Sequence, residues 1–314
     1  MTWPTYLLLG APLAILTLHT VAFTFPPSSP LAHRSAFYAR VLTSWLALVV
    51  AAAYGVVASI ALRAAGYGGL SQWTVGRMFK WLMWATTEVT FQVAEGGRVE
   101  GGRRGGEEAL EVRPAVFVAN HQTELDVLMI GCVLPRWCSI TAKKSLKWIP
   151  ILGWFMTLSK TVFIDRANRS TARAAFDGAA AHMRREKQSV FIFPEGTRSY
   201  ATKPDLLPFK KGAFHLAIQA QVPIVPIVVA NYAHILNVKA RIFRPGVIDV
   251  SVLPPIPTVG LTAADVDKLT QRTRDAMMNE LMRLSHLRSY EDGAAVATGV
   301  DGGSEARRKV GVEL

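Results

Sequence analysis

Two long apolar runs open the chain. From residue 3 to residue 25 only His19 could carry charge near neutrality, and residues 41–62 carry none, with Arg40 and Arg63 bracketing them. At 1.5 Å rise per residue, either run as a helix covers a hydrocarbon core of about 30 Å, so both predict membrane helices. Pro4 and Pro12 leave a kinked, re-entrant hairpin as the alternative to two spans. A cleaved signal peptide fits less well, because the first residues lack a basic region and the run exceeds an ordinary signal core. A stiff turn containing Pro26, Pro27 and Pro30 joins the runs. Positive charge follows on both sides (Arg34 and Arg40, then Arg63, Arg77 and Lys80), so the charge rule for loops sets no orientation. Trp73, Arg77, Phe79, Lys80, Trp81 and Trp84 fit a helix lying in the membrane interface, and equally a core helix with surface charges.

Beyond a Gly- and charge-rich stretch at 95–108, which reads as a loop, the pattern changes. Short apolar runs at 115–119, 139–142, 161–164, 189–193, 223–230 and 247–253 predict strands. Helical periodicity at 127–134, 167–185, 211–221 and 262–287 falls between or after them. Strands alternating with helices imply an α/β fold, a largely buried sheet flanked by helices. The expected organisation is a membrane segment of two transmembrane or re-entrant helices (1–66), an interfacial helical segment (67–94), an α/β domain (95–290) and a disordered tail (291–314). No internal repeat is visible.

Composition narrows the function. Half of the 314 residues are hydrophobic and 18% are charged, with 35 Lys plus Arg against 23 Asp plus Glu, a formal net charge of +12. Mean hydropathy is +0.24, on the apolar side for a water-soluble enzyme. Such charge fits nucleic acid, anionic lipid or phosphorylated substrates. The apolar excess, with no zinc-finger spacing, basic zipper or RNP-like segment, selects a membrane and sets nucleic acid aside. Cys132 and Cys138 cannot build a disulfide framework or a four-cysteine zinc site. The signatures of serine hydrolases, P-loop NTPases, dinucleotide enzymes and zincins are missing too.

Four segments carry candidate chemistry. Asn120-His121-Gln122-Thr123-Glu124-Leu125-Asp126 follows a predicted strand, where ligands sit in open α/β sheets. A histidine backed by a carboxylate makes a hydroxyl nucleophilic: the imidazole takes the proton and the carboxylate fixes its tautomer. His121 and Asp126 would stand about 140° apart on a regular helix, so they pair only if a turn precedes the helix. Phe193-Pro194-Glu195-Gly196-Thr197-Arg198 ends a second strand. There Gly196 admits backbone amides to a ligand, Thr197 and Arg198 suit a phosphate, and Glu195 is expected to orient Arg198 or hold a hydroxyl. Phe163-Ile164-Asp165-Arg166 puts an arginine past a third strand. Val222-Pro223-Ile224-Val225-Pro226 is an apolar strand whose Pro226 points to an edge or a bulge. The basic pairs Lys143-Lys144 and Lys210-Lys211 read as solvated surface.

These four blocks, in this order after apolar helices, resemble the glycerolipid acyltransferase family, the 1-acylglycerol-3-phosphate acyltransferases. That family carries N-H-x-x-x-x-D, F-I-D-R, F-P-E-G-T-R and V-P-I-V-P blocks, and the resemblance covers roughly residues 116–230. One departure is Lys160, which stands where the family often has glycine three residues before Phe163. The resemblance implies an integral membrane enzyme moving an acyl group from acyl-CoA to the sn-2 hydroxyl of 1-acyl-sn-glycerol 3-phosphate (lysophosphatidic acid). His121 would be the general base and Asp126 its orienting carboxylate. Arg166, Glu195, Gly196, Thr197 and Arg198 would bind the glycerophosphate, with amides near Gly196 stabilising the oxyanion. No cofactor or metal is expected, since the thioester donor is already activated, and no protein partner is evident. Acyl-CoA supply favours the cytosolic face, and a eukaryotic source would favour the endoplasmic reticulum. Two rival readings are acylation of another acceptor, such as glycerol 3-phosphate or a different lysophospholipid, and a non-catalytic membrane scaffold.

Overall fold

The computed structural model describes residues 3–94, 105–165 and 169–298. It begins with α1 (Trp3–Thr24) and α2 (Pro30–Ala64), paired through the Pro-rich turn, then α3 (Ser71–Thr87). Ser29 caps α2 by accepting the Leu31 N–H, and Pro30 supplies the fixed φ that suits a first helical turn. The remaining elements are β1 (Val89–Val93), α4 (Glu107–Leu110), β2 (Val116–Ala119), α5 (Asp126–Val133), β3 (Cys138–Lys143), α6 (Leu152–Leu158), β4 (Val162–Ile164), α7 (Arg169–Glu186), β5 (Ser189–Ile192), α8 (Gly212–Ala220), β6 (Ile224–Val229), β7 (Leu236–Asn237), β8 (Ile242–Phe243), β9 (Gly246–Val252) and α9 (Val266–Thr298).

All six strands expected from the apolar runs form, and they join one seven-stranded sheet in the order β1-β9-β6-β2-β5-β3-β4. Pairing is parallel except between β6 and β9. The central strand β2 is buried throughout, and its side chains alternate between two cores. Ala115, Phe117 and Ala119 join the core that includes Phe79, Met83, Leu128 and Phe155 of α3, α5 and α6. Val116 and Val118 join the core containing Ala180, Phe214, Ala217 and Met277 of α7, α8 and α9. The uniformly apolar strands therefore reflect a sheet covered on both faces.

The structure corrects several expectations. The segment 67–94 is not all helix: Glu88 takes a left-handed backbone (φ 55) that ends α3, and Val-Thr-Phe-Gln-Val then forms the edge strand β1. Its partner β9 lies over 150 residues away in sequence, so nothing local marks the strand. The faces of α3 divide between the two readings offered for it. Val75, Phe79 and Met83 are buried, while Trp81 and Trp84 are exposed. Pro226 lies in an interior strand rather than at an edge, at a bulge. Ile227 pairs with Val252 and Ile224 bridges Ile256, so one extra residue faces Pro226 and no ladder bond asks for its missing N–H. Lys160 has φ 61, the conformation that a glycine there would supply without strain. The closing helix continues to Thr298, so the expected tail at 291–314 is helical as far as it is described, and 299–314 lie outside the described residues. The loop expected at 95–108 lies outside them up to residue 104.

Candidate active site

The C-terminal ends of β2, β5 and β6 lie side by side, and the loops leaving them build the site. After β2 the chain turns before α5 begins at Asp126, which is the turn that the His121–Asp126 spacing requires. Asn120 fixes this exit: its side chain accepts the Val229 N–H at 2.8 Å and donates to the Val229 carbonyl at 3.0 Å, sewing it to the end of β6. Gln122 adds bonds to the carbonyls of Val229 and Ala230.

His121 Nδ1 lies 2.7 Å from Asp126 Oδ2. Because that oxygen is an acceptor, the Nδ1 proton sits between them and Nε2 is the free, basic nitrogen. No described residue hydrogen-bonds Nε2. The imidazole stacks on Phe193 with ring centroids 4.0 Å apart and planes 14° from parallel, so an aromatic wall and a carboxylate together fix its orientation. Asp126 is fully buried and saturated. Its Oδ2 also accepts the N–H groups of Gln122 (2.6 Å) and Thr123 (3.1 Å), and its Oδ1 accepts the Tyr232 hydroxyl at 2.6 Å.

Tyr232, just past β6, was not singled out by the sequence. Burial and the neighbouring Asp126 charge hold its phenol well above the ordinary value, so it stays a proton donor. Thr123 completes the group, donating its N–H to the Tyr232 oxygen at 3.1 Å. A tyrosine just beyond a strand end, where site residues gather, was the available signal.

The second loop is docked on the first. Ser199 N–H bonds the His121 carbonyl at 2.9 Å and Tyr200 N–H bonds that of Gln122 at 3.0 Å. The orienting role expected for Glu195 is corrected: its carboxylate does not face Arg198. It is 3% exposed, and its two oxygens accept the N–H groups of His121 (2.7 Å) and Leu207 (3.0 Å). Glu195 therefore ties the β5 exit to the β2 exit. Burial pushes its carboxyl up to about 7, against those two donors, which pull it down.

The carboxylate facing Arg198 is Glu124, at 2.8 Å, and Tyr200 donates to the same oxygen at 2.6 Å. Gly196 has φ 71, and a Cβ there would stand 2.8 Å from Lys210 Nζ, so this lysine lies directly over the turn. The Gly196 N–H is used within the turn by the Phe193 carbonyl, whereas the amides of Thr197 and Arg198 carry no hydrogen bond among the described residues. Arg166 lies outside the described residues; the preceding Asp165 pairs with Lys144 at 3.3 Å. Among the described residues, no three His, Cys, Asp or Glu side chains are placed to hold a metal.

A polarised histidine with a free Nε2, set beside unbonded amides at the ends of parallel strands, is apparatus for moving a group onto a hydroxyl. Residues 103–230 match the family model described as Acyltransferase, and the chain is an acyltransferase. It is 45% identical over 238 residues to an uncharacterised acyltransferase of Schizosaccharomyces pombe, covering 76% of this chain and 81% of that one. It is 38% identical over 259 residues to the 1-acyl-sn-glycerol-3-phosphate acyltransferase of Saccharomyces cerevisiae, covering 82% of each. The fold is shared with the crystal structure of the 1-acyl-sn-glycerophosphate (LPA) acyltransferase PlsC from Thermotoga maritima, with TM-score 0.58, 21% identity, 81% of this chain and 95% of that one covered. The chain belongs to the 1-acyl-sn-glycerol-3-phosphate acyltransferase family.

Proposed function

We propose that this chain moves a fatty acyl group from acyl-CoA to the sn-2 hydroxyl of 1-acyl-sn-glycerol 3-phosphate, giving phosphatidic acid and CoA for phospholipid synthesis. The observation that carries the reading is the 2.7 Å contact of His121 Nδ1 with the buried Asp126. Nε2 takes the hydroxyl proton as the oxygen attacks the thioester carbonyl. The amides of Thr197 and Arg198 are the donors for the resulting oxyanion. Collapse expels the CoA thiolate, which receives the proton back from the imidazolium. The names of the yeast and Thermotoga relatives support the acceptor.

Lys210, which lies over the Gly196 turn, and Arg198, two residues beyond Gly196, are the cations for the acceptor phosphate, and Arg166 is a third by resemblance. The Arg198–Glu124 pair is two-fifths exposed. Pairs of that kind contribute about 0–1 kcal/mol, so a phosphate displaces Glu124 at little cost. Membrane attachment falls to α1 and α2. Of these, α2 is long and apolar enough to span, and Trp45, Val57 and Ile60 expose more than half of their surface on its outer side. Acyl-CoA supply favours the cytosolic face, and in a eukaryote the endoplasmic reticulum is the membrane that this reading assigns.

The test is CoA release by detergent-purified protein with oleoyl-CoA and, in turn, lysophosphatidate, glycerol 3-phosphate, lysophosphatidylcholine and no acceptor. His121→Ala runs beside each. Release with lysophosphatidate, lowered by about 10²-fold or more in the variant, is expected for a general base. Release only with another acceptor would replace the substrate, and near-normal turnover in the variant would remove the mechanism.

A further inference from the structure

We infer that residues 144–158 form a second membrane-docking surface, a basic and aromatic wedge that enters the lipid interface beside α2. This rests on the membrane reading above.

The segment exposes apolar groups on a backbone built to hold them. Trp148 is 78% exposed, Trp154 59% and Ile149 43%. A 3-10 turn over Lys144–Trp148 leads to Ile151, a β-branched residue with φ 65, and then α6. Gly153 donates to the Ile149 carbonyl at 2.7 Å, and a Cβ on Gly153 would stand 2.1 Å from the Lys147 oxygen. The chain is thus folded tightly back on itself, and Lys147, Trp148, Trp154, Thr157 and Leu158 line one surface groove. A β-branched residue at positive φ costs about 1–3 kcal/mol, and the segment is held in that conformation by Leu146, Leu152, Phe155 and Met156, which pack on the core while the tryptophans face outward.

The back of the wedge is fixed to the apolar helix. A Cβ at Gly55 of α2 would meet the Phe155 ring at 2.5 Å, and Arg63 at the end of α2 donates to the Leu158 carbonyl at 2.8 Å. The exposed tryptophans therefore belong to an element clamped on the helix whose own outer side is apolar.

Charge identifies the occupant. No Asp or Glu occurs between Asp126 and Asp165, while Arg136, Lys143, Lys144, Lys147 and Lys160 do. In space Lys144 pairs with Asp165 and Lys160 with Glu186, which leaves Arg136, Lys143 and Lys147 without an ion pair among the described residues. These cations beside exposed tryptophans suit the headgroup layer of an anionic bilayer. Topology gives the position a purpose. β3 runs parallel to β5 and β5 parallel to β2, so the wedge leaves the sheet at the same edge as His121 and Glu195. Docking there brings the base to the depth where an sn-2 hydroxyl lies.

The test uses the full chain with Cys132→Ser and Cys138→Ala, carrying one cysteine in turn at Trp148, Trp154, Ile60 or Val259. Each is labelled with an environment-sensitive fluorophore and reconstituted in phosphatidylcholine–phosphatidylserine vesicles containing spin-labelled phosphatidylcholine. None of the four positions is part of the catalytic machinery, and retained CoA release in detergent verifies that each labelled chain is folded. Labels at 148, 154 and 60 are expected to be quenched by the lipid and shielded from iodide, with the label at 259 quenched by iodide. Iodide quenching at 148 or 154 while 60 stays lipid-quenched overturns the wedge and leaves the membrane reading standing. Iodide quenching at all four positions overturns both.

Discussion

Asp126 does two jobs that a pair of substitutions separates. Its Oδ2 accepts His121 Nδ1–H and the N–H groups of Gln122 and Thr123, and its Oδ1 accepts the Tyr232 hydroxyl. In Asp126→Asn, the amide oxygen placed at the present Oδ2 keeps the first three bonds. The amide NH₂ then faces the Tyr232 oxygen, which can accept once its proton turns to Thr123 Oγ1, 3.0 Å away. The imidazole, both backbone N–H groups and the phenol keep partners, while the Thr123 hydroxyl proton and the second amide hydrogen lose theirs, so Asp126→Asn should cost about 1–2 kcal/mol, less than removal of the side chain. The charge that stabilises the imidazolium is gone, and turnover should fall by about 10²–10⁴-fold. Asp126→Ala instead orphans the buried Gln122 N–H and strips the Thr123 N–H and the Tyr232 phenol of their charged acceptor, leaving those two only each other and Thr123 Oγ1; a buried group left unpaired costs about 1–3 kcal/mol. Allowing for relaxation, at least about 2 kcal/mol is lost; at about 2–4 °C per kcal/mol the midpoint falls by about 4–8 °C. The assay is kcat from CoA release together with thermal unfolding followed by tryptophan fluorescence in detergent. Near-parent turnover in Asp126→Asn would show that the carboxylate serves only as a structural hub. An Asp126→Ala midpoint equal to that of Asp126→Asn would show that it is no hub at all.

The other predictions test the neighbours. Tyr232→Phe removes a buried charge-assisted bond and leaves the Thr123 N–H short of one acceptor, so unfolding should come about 1.5–3 kcal/mol earlier, with kcat reduced far less than by His121→Ala; unchanged stability in thermal melts would refute it. Arg198→Ala should raise KM for lysophosphatidate far more than KM for acyl-CoA, and equal shifts in steady-state kinetics would remove its phosphate role. Glu195 is held up to about 7 in the folded protein against about 4.5 unfolded, so the folded state binds the extra proton between those values. Stability attributable to it is present below about pH 4.5 and is lost as pH rises through about 7. Glu195→Gln should abolish that slope. It should also cost about 1–3 kcal/mol, because either amide orientation points NH₂ at a backbone N–H; an unchanged pH profile of the melting midpoint would place the slope elsewhere.

Strand runs and strand-end motifs were legible because both depend on local pattern. Uniform apolarity marks a doubly covered strand wherever its neighbours lie, and the His121–Asp126 spacing required a turn that the strand-to-helix junction supplied. What spacing could not show was which strand ends become neighbours. The sheet sets β2 between β5 and β6, and that order decides the partners of every buried polar group in the site. Three residues of separation suggest that Glu195 faces Arg198, yet its oxygens go to His121 across one strand boundary and to Leu207 further along its own loop. Arg198 turns instead to Glu124, 74 residues away, and Asp126 to Tyr232, 106 residues away. The base is thus held from three strand ends at once: by Asp126 after β2, by Glu195 and Phe193 after β5, and through Asp126 by Tyr232 after β6. Such a base keeps its orientation only while all three ends stay in register. Substitutions at Asn120, whose side chain bonds β6 and hydrogen-bonds neither the imidazole nor Asp126, should therefore lower kcat by misplacing the imidazole rather than by removing any reacting group.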